Sequence, residues 1–87
     1  MKRILIIEDD ADIAAIERDY LALGGFDVTL CGNGTDGLAL ALGGGFDLVI
    51  LDLMLPGTDG FTVCRELRER SDVPVIMVTA RHEDADM

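Results

Sequence analysis

Short apolar runs alternate along the chain with stretches whose apolar residues recur every three or four positions. The runs are rich in aliphatic and β-branched residues, as buried strands are, and occupy residues 3–7, 26–31, 47–51 and 75–78. The intervening stretches are typical of helices and occupy residues 13–23, 36–42 and 60–70. Glycine clusters at 24–25 and 43–45 end the first two helices. The pattern predicts strands and helices in strict alternation, with a further helix beginning at residues 82–87.

Individual residues refine these helices. The apolar residues of the first helix recur at helical spacing and are Ile13, Ile16, Tyr20 and Leu23. The charged residues 17–19 are expected largely on the other side of this helix. Those of the third helix are Phe61, Cys64 and Leu67. Asn33 and Gly34 predict a turn, and Thr35 is a candidate N-cap of the second helix. Asp10 and Asp12 are expected as acids in the first turn of the first helix, while Asp59 and Gly60 are expected to begin the third.

This alternation predicts the α/β fold class, with a doubly wound parallel sheet and helices on both of its faces. Parallel neighbours need crossover connections, which are nearly always right-handed. With 87 residues, the sequence has room for one domain, spanning residues 1–87.

Acidic residues stand where predicted strands end. Glu8 and Asp9 follow the first strand, Asp52 follows the third, and Thr79 and Ala80 follow the fourth. Asp52 lies within the apolar sequence VILDLMLPG, where an unpaired buried carboxylate would cost several kcal/mol. Ligands of open parallel sheets bind outside the carboxyl ends of the strands, so we expect these side chains to form a site together.

Clustered carboxylates repel each other unless a cation holds them, and their hard oxygen atoms suit Mg²⁺. Carboxylates can also attack phosphoryl groups to give an aspartyl phosphate, while a metal neutralises the charge of the group in transfer. The cluster therefore predicts a magnesium site, at which a carboxylate such as Asp52 could act as a nucleophile.

Three sequence motifs in order, IIEDD, VILDLMLPGTDG and VPVIMVTAR, resemble those of the receiver domain of two-component response regulators. The motifs are similar to those of the response regulators that also carry a winged-helix DNA-binding domain. The resemblance implies a flavodoxin-like sheet of order 2-1-3-4, incomplete because the family's fifth strand, its lysine and its last helix are absent from these residues. A partial receiver domain is thus expected over residues 1–87.

The resemblance also implies a role for each matching residue. Asp52 corresponds to the phosphoacceptor, Asp9 to the direct Mg²⁺ ligand, and Glu8 to the acid that usually reaches the metal through water. The backbone carbonyl of Met54 corresponds to another metal ligand, and Thr79 to the hydroxyl that contacts the phosphoryl group on switching. The donor would be a sensor histidine kinase, and the chain would be a signalling module controlling a DNA-binding domain, not an enzyme.

Three other interpretations remain open. The sequence GNGTDG at 32–37 has the glycine spacing of a dinucleotide site, with Asp52 ending the next strand, although a turn and a helix cap explain it. Phosphatases with an aspartyl nucleophile have the motif DxD, in which a second Asp follows two residues after the nucleophile. In this sequence Met54 occupies that position after Asp52. Finally, the chain could act only as an interaction unit, self-associating through the apolar edge of residues 75–78 or through exchanged elements.

Charge and cysteine content limit the binding partners and the cellular compartment expected for this chain. A formal net charge of −10 disfavours direct binding to nucleic acid or to an anionic membrane. Cys31 and Cys64 lack metal-site spacing and predict reduced, core-facing thiols. No apolar run approaches the ~18 residues of a membrane span, and the N-terminus does not resemble a signal peptide. We therefore expect a cytoplasmic location, and predict that His82 lies on the solvated surface.

Overall fold

The computed structural model describes residues 1–53, 55 and 59–78. Strands and helices alternate within them in the predicted order: β1 (Arg3–Ile7), α1 (Ala11–Leu23), β2 (Asp27–Cys31), α2 (Gly34–Leu42), β3 (Leu48–Asp52), α3 (Gly60–Arg70) and β4 (Val75–Val78). The strands pair in parallel in the order β2-β1-β3-β4, which confirms the predicted sheet. The helix predicted at 82–87 lies outside the described residues.

The two inner strands, β1 and β3, are the most deeply buried part of the sheet. Ile7 of β1 stands opposite Cys31 of β2 on one side and Leu51 of β3 on the other. The last four residues of β1 are at most 2% exposed. A continuous apolar run of this kind fits a strand that is covered on both faces.

Helices α2 and α3 cover one face of the sheet and enclose the main core. The buried residues of this core come from β1, β3, the two helices and position 55 between β3 and α3. They are Leu5, Ile7, Ala41, Val49, Leu51, Leu55, Val63 and Leu67. Gly37 brings α2 close to β1, because a Cβ atom there would lie 2.6 Å from Cδ1 of Ile7. Cys31 and Cys64 are free thiols that pack against this core, as predicted.

Helix α1 lies on the opposite face, and the sequence predicted its orientation wrongly. Ala14 is its buried residue, whereas Ile16, Tyr20 and Leu23 are 69%, 79% and 87% exposed. Ala14 is small enough for the helix to approach the sheet closely, and the helix turns the side bearing Ala14 and the half-buried Glu17 inward. Three of the four residues of the predicted apolar stripe therefore point away from the strands, while Ile13 is half-buried.

Two further details of the helices differ from the prediction. Asn33, not Thr35, is the N-cap of α2, since its Oδ1 accepts a hydrogen bond of 2.8 Å from the backbone N–H of Asp36. Phe61 of α3 is 65% exposed, whereas Val63 and Leu67 are fully buried. A step of four residues keeps two side chains on one face, whereas Phe61 and Leu67 are six residues apart and diverge by about 120°.

Strand boundaries shift by one residue. Strand β2 begins at Asp27 rather than at Phe26, and β3 spans Leu48–Asp52 rather than 47–51. Asp47 precedes β3 and fixes the start of β1, because its carboxylate accepts a 2.8 Å hydrogen bond from the backbone N–H of Arg3. Asp52 is consequently the last residue of β3 itself, and it stands opposite Val78 of β4. Among the described helices, none has the length and apolar character needed to cross a lipid bilayer.

Candidate functional site

The end of β1 delivers two acids to the edge of the sheet. Glu8 and Asp9 directly follow the last residue of β1, and the backbone N–H of Glu8 donates a 2.9 Å hydrogen bond to the carbonyl of Cys31. Oε2 of Glu8 accepts a 3.0 Å hydrogen bond from the backbone N–H of Asp10. Glu8 is only 3% exposed, whereas Asp9 is exposed. One acid of the pair therefore lies in the interior and the other lies at the surface.

Asp10 and Asp12 have the structural roles predicted for them. Asp10 is the N-cap of α1, with Oδ1 accepting from the backbone N–H groups of Asp12 and Ile13 at 3.0 and 3.1 Å. Asp12 lies in the first turn of that helix, where a negative charge is favoured by the helix dipole. The cap fixes the turn in which Glu8 and Asp9 lie.

Asp52 is held by the backbone around the end of β3. It is fully buried, and the N–H of the next residue, Leu53, donates a 2.9 Å hydrogen bond to the carbonyl of Val78. Gly60, the first residue of α3, packs against it so closely that a Cβ atom would lie 2.6 Å from the carbonyl oxygen of Asp52. Asp59 caps α3, and hydrogen bonding from the backbone N–H of Thr62 holds the pKa of that carboxyl below its ordinary value.

These elements bring Glu8, Asp9 and Asp52 together, as the sequence predicted. One carboxylate oxygen from each lies within 4.8 Å of the others. Burial, against the lowering effect of the Asp10 N–H and together with the carboxylates of Asp52 and Asp9, raises the pKa of Glu8 to about 7. The site is thus a buried concentration of negative charge with an exposed side at Asp9.

The arrangement fits a small divalent cation. Oε1 of Glu8 is buried and has no hydrogen-bond donor among the described residues, so this atom is open to a ligand. Carboxylate oxygens at this density are hard ligands, and Mg²⁺ takes a few of them while keeping several waters. The exposed Asp9 leaves room for those waters and for an incoming group.

Two predicted site residues, Met54 and Thr79, lie outside the described residues, as do two other residues named from the sequence, Ala80 and His82. Their proposed contacts therefore remain predictions.

The glycine-rich sequence at 32–37 has structural explanations instead of a nucleotide site. Asn33 caps α2 and Gly37 is needed for the close approach to Ile7. A Cβ atom at Gly32 would meet no heavy atom within 4 Å. Asn33 and Gly37 thus have structural roles in the fold, whereas the space around Gly32 does not require a glycine.

Two residues near the site were missed from the sequence. Glu17 was assigned to the solvated side of α1, but burial raises its pKa and the charge of Asp52 raises it further. Leu55 is 7% exposed and belongs to the main core. The three- and four-residue spacing of Ala14, Glu17 and Leu21 was the available signal for the first, and the apolar character of Leu55 for the second.

Comparison with known proteins agrees with this geometry. The model of the response regulator receiver domain matches residues 4–87. The sensory transduction protein RegX3 of Mycolicibacterium smegmatis is 48% identical over 86 residues, covering 99% of this chain and 38% of the relative. The transcriptional regulatory protein BaeR of Escherichia coli is 46% identical over 84 residues, covering 97% and 35%. The chain thus spans little more than a third of these curated relatives.

Solved structures share the fold. The response regulator TrrA of Thermotoga maritima, crystallised with Mg²⁺ and BeF, is 35% identical with a TM-score of 0.89, covering 93% of this chain and 71% of that one. TrrA in complex with the histidine kinase ThkA is 36% identical with a TM-score of 0.87, covering 100% and 77%. Both likenesses support the predicted incomplete flavodoxin-like architecture. The motifs, the parallel sheet and these relatives together show that the chain belongs to the response regulator receiver domain family of two-component systems.

Proposed function

We propose that this chain accepts a phosphoryl group on Asp52, with Mg²⁺ held by Glu8, Asp9, Asp52 and the backbone carbonyl of Met54. The observation that carries the proposal is the convergence of three carboxylates within 4.8 Å at the carboxyl edge of the sheet. A bound Mg²⁺ would neutralise negative charge on these acids and on the group in transfer. TrrA, crystallised with Mg²⁺ and BeF, supports the same chemistry here.

Each described acid has a distinct task in this proposal. Asp52 is the nucleophile: its carboxylate oxygen forms a bond to phosphorus as the bond from phosphorus to the donor's imidazole nitrogen breaks, and the nitrogen leaves with its electron pair. Asp9 is exposed and so directs the metal-binding side towards solvent. Glu8 is buried beside it and, by resemblance, would reach the metal through water.

Phosphoryl contact by the Thr79 hydroxyl is part of the proposal by resemblance. The donor is a phosphohistidine of a sensor histidine kinase, and the complex of ThkA with TrrA supports such a partner. The name of BaeR supports an output in transcription, exerted by a DNA-binding domain that these residues do not include. We further propose that the chain is not an enzyme, and the cytoplasmic location remains a prediction.

Phosphorylation is tested by incubating the chain with Mg²⁺ and acetyl phosphate and measuring its intact mass. We expect a gain of one phosphoryl group that requires Mg²⁺ and is lost in Asp52→Asn. Asp19→Asn, which removes an equal charge from an exposed position of α1, is the matched control and should retain the adduct. An adduct that persists in Asp52→Asn would assign the phosphoryl group elsewhere.

A second candidate is the interaction unit that self-associates through β4 or exchanged elements. Among the described strands, β4 pairs with β3 alone, so its other edge has no partner there. Unpaired strand edges invite pairing with another chain. Light scattering at high concentration tests the candidate, and a monomer would exclude it.

A further inference from the structure

Strand β2 forms one edge of the sheet, on the far side from β4, and among the described strands it pairs with β1 alone. The backbone N–H of Asp27 donates a 2.8 Å hydrogen bond to the carbonyl of Lys2. At the other end of the strand, the carbonyl of Cys31 accepts one of 2.9 Å from the N–H of Glu8. Both ends of β2 therefore direct their backbone groups towards β1.

Val28 and Leu30 direct their backbone groups the other way. Successive residues of a strand have their N–H and carbonyl groups on opposite sides, so the neighbours of Asp27 and Cys31 turn theirs outward. The outer edge of β2 thus presents two donors and two acceptors that have no strand partner among the described residues. An extended peptide beside such an edge satisfies them with main-chain hydrogen bonds.

A groove of about 630 Å³ lies between β2 and α2, along this edge. Its lining includes Thr29 of β2, Ala39 and Leu40 of α2, and Phe46. Leu40 is 42% exposed and Phe46 is half-buried, so apolar side chains face solvent here. The volume is within the range of about 300–1,000 Å³ found for ligand sites. The edge of β2 therefore lies beside space for an apolar side chain.

Opposite charges stand at the two ends of this groove. Asp36 lies in the first turn of α2, and Gly43 caps the helix about 10 Å further along its axis. At that second end, Arg3 donates a 3.2 Å hydrogen bond to the Gly45 carbonyl, and its guanidinium lies 4.6 Å from the centre of the Phe46 ring. These two contacts position the cation at the groove. A strand of three or four residues spans about the same 10 Å.

We propose that an extended segment of a partner protein binds antiparallel to β2, with a cation at Asp36, an apolar side chain in the groove and an acid at Arg3. Strand β2 runs from the Arg3 end of the groove towards the Asp36 end. In an antiparallel segment the cation therefore precedes the acid. Antiparallel pairing is the slightly more stable arrangement of two strands.

Charge favours such a partner over a second copy of this chain. Strand β2 has the sequence DVTLC, so pairing of two β2 edges brings no cation to Asp36. Two copies, each with a net charge of −10, also repel one another. A segment with both signs of charge meets neither obstacle.

The probe is a capped peptide of sequence TKTVTET, which places its lysine, valine and glutamate on one face of a strand. Amide hydrogen exchange of the full 87-residue chain, labelled with ¹⁵N, is measured by NMR with and without it. Outward amides exchange from the folded state, so only pairing at the edge slows them. With the peptide at ten times its dissociation constant, the amides of Val28 and Leu30 should exchange about tenfold more slowly.

Methylated peptides test the backbone pairing. In the proposed arrangement the valine lies opposite Thr29, and the threonines on either side of it direct their N–H groups to Val28 and Leu30. Methylation of those two threonine nitrogens should abolish binding. Methylation of the valine nitrogen, which faces away from β2, should leave the dissociation constant unchanged.

Matched variants test the groove and its charge. Asp36→Asn, which keeps an oxygen for the amide of Asn33, should weaken the peptide about two- to fivefold and leave a peptide with norleucine for lysine unchanged. Asp19→Asn, an equal charge change at an exposed position of α1, should alter neither. Leu40→Ser should weaken both peptides, with circular dichroism showing that the variant remains folded.

Three results would overturn the proposal. The first is unchanged exchange of the Val28 and Leu30 amides at saturating peptide, and the second is equal binding by the threonine-methylated peptide. The third is a dimer of the chain alone that protects the same two amides, because the occupant would then be a second copy. Phosphorylation of Asp52 is read separately, by intact mass with acetyl phosphate, so its failure is distinguishable from each of these results.

Discussion

Glu8 directly follows β1 and Asp52 ends the adjacent strand β3, and both are almost fully buried, at 3% and 0% exposure, with carboxylate oxygens within 4.8 Å of each other. Two acids in this position cannot both be ionised cheaply without a cation. The pKa of Glu8 rises to about 7 for this reason and because of its burial. Protonation and metal binding are therefore alternative ways of stabilising the same pair.

The first prediction concerns the stability of the metal-free chain against pH. The folded chain holds the Glu8 proton up to about pH 7, whereas the unfolded chain releases it near 4.5. The stabilising contribution is complete below 4.5 and is lost as pH rises through 7, which lowers the free energy of unfolding by up to about 3 kcal/mol. Urea titrations at pH 5 and pH 8 measure it.

Added Mg²⁺ should reverse that loss, since the metal binds the deprotonated pair and stabilises the folded state by mass action. Glu8→Gln, which stays neutral at every pH, should show a smaller decline between pH 5 and 8. An equal decline in wild type and Glu8→Gln would show that the overall negative charge, and not this carboxyl, sets the pH dependence.

The second prediction concerns the buried charge of Asp52. Asp52→Asn removes one of two like charges without changing the size of the side chain, and should stabilise the metal-free chain by about 1–2 kcal/mol at pH 8. It should also abolish the shift in melting temperature caused by Mg²⁺. Thermal melts with and without the metal measure both effects, and a destabilised Asp52→Asn would show that the carboxylate makes a contact the fold depends on.

The third prediction concerns the close approach of α3 to the end of β3. Gly60→Ala places a Cβ atom 2.6 Å from the carbonyl oxygen of Asp52 and 2.7 Å from Cα of Leu53, so backbone must move. We expect a loss of roughly 2–3 kcal/mol and weaker Mg²⁺ binding. Gly32→Ala, which meets nothing within 4 Å, should change stability by less than about 0.5 kcal/mol. Similar losses in the two variants would contradict the close-packing explanation.

The fourth prediction concerns the N-cap of α2. Asn33→Ala removes the acceptor for the Asp36 N–H and should cost about 1 kcal/mol in urea unfolding. Asn33→Ser supplies another cap oxygen and should recover most of that loss. If Asn33→Ala is neutral, the first turn of α2 depends on other contacts.

Apolar periodicity predicted the alternation of elements and a parallel sheet because buried parallel strands and glycine stops leave strong local patterns, whereas the strand order was implied by the resemblance to receiver domains. It also placed Glu8, Asp9 and Asp52 together, since parallel topology brings strand ends to one edge. It failed for α1, where packing of Ala14 against the sheet decides the rotation of the helix. The exposure of Tyr20 and the inward position of Glu17 follow from this rotation of α1. The rotation depends on contacts between residues far apart in the sequence.

The sequence also did not predict the N-cap residue of α2 or the buried face of α3. Asn33 and Thr35 are both good cap residues, and only the path of the chain after β2 selects the first. The apolar spacing of Phe61 and Leu67 suggested one face, but the position of α3 against β3 buries Val63 in place of Phe61. Such details depend on tertiary packing.

The acids of the site are attached to β1 and β3, whose backbones are hydrogen-bonded to neighbours on both sides. Strands of this kind open only when the whole domain unfolds, whereas edge strands and helix ends exchange their amide hydrogens by smaller, more frequent openings. Local fluctuations of β2, of β4 or of the exposed end of α1 can therefore occur while Glu8, Asp9 and Asp52 keep their spacing. The spacing of these three carboxylates persists for as long as the centre of the sheet does.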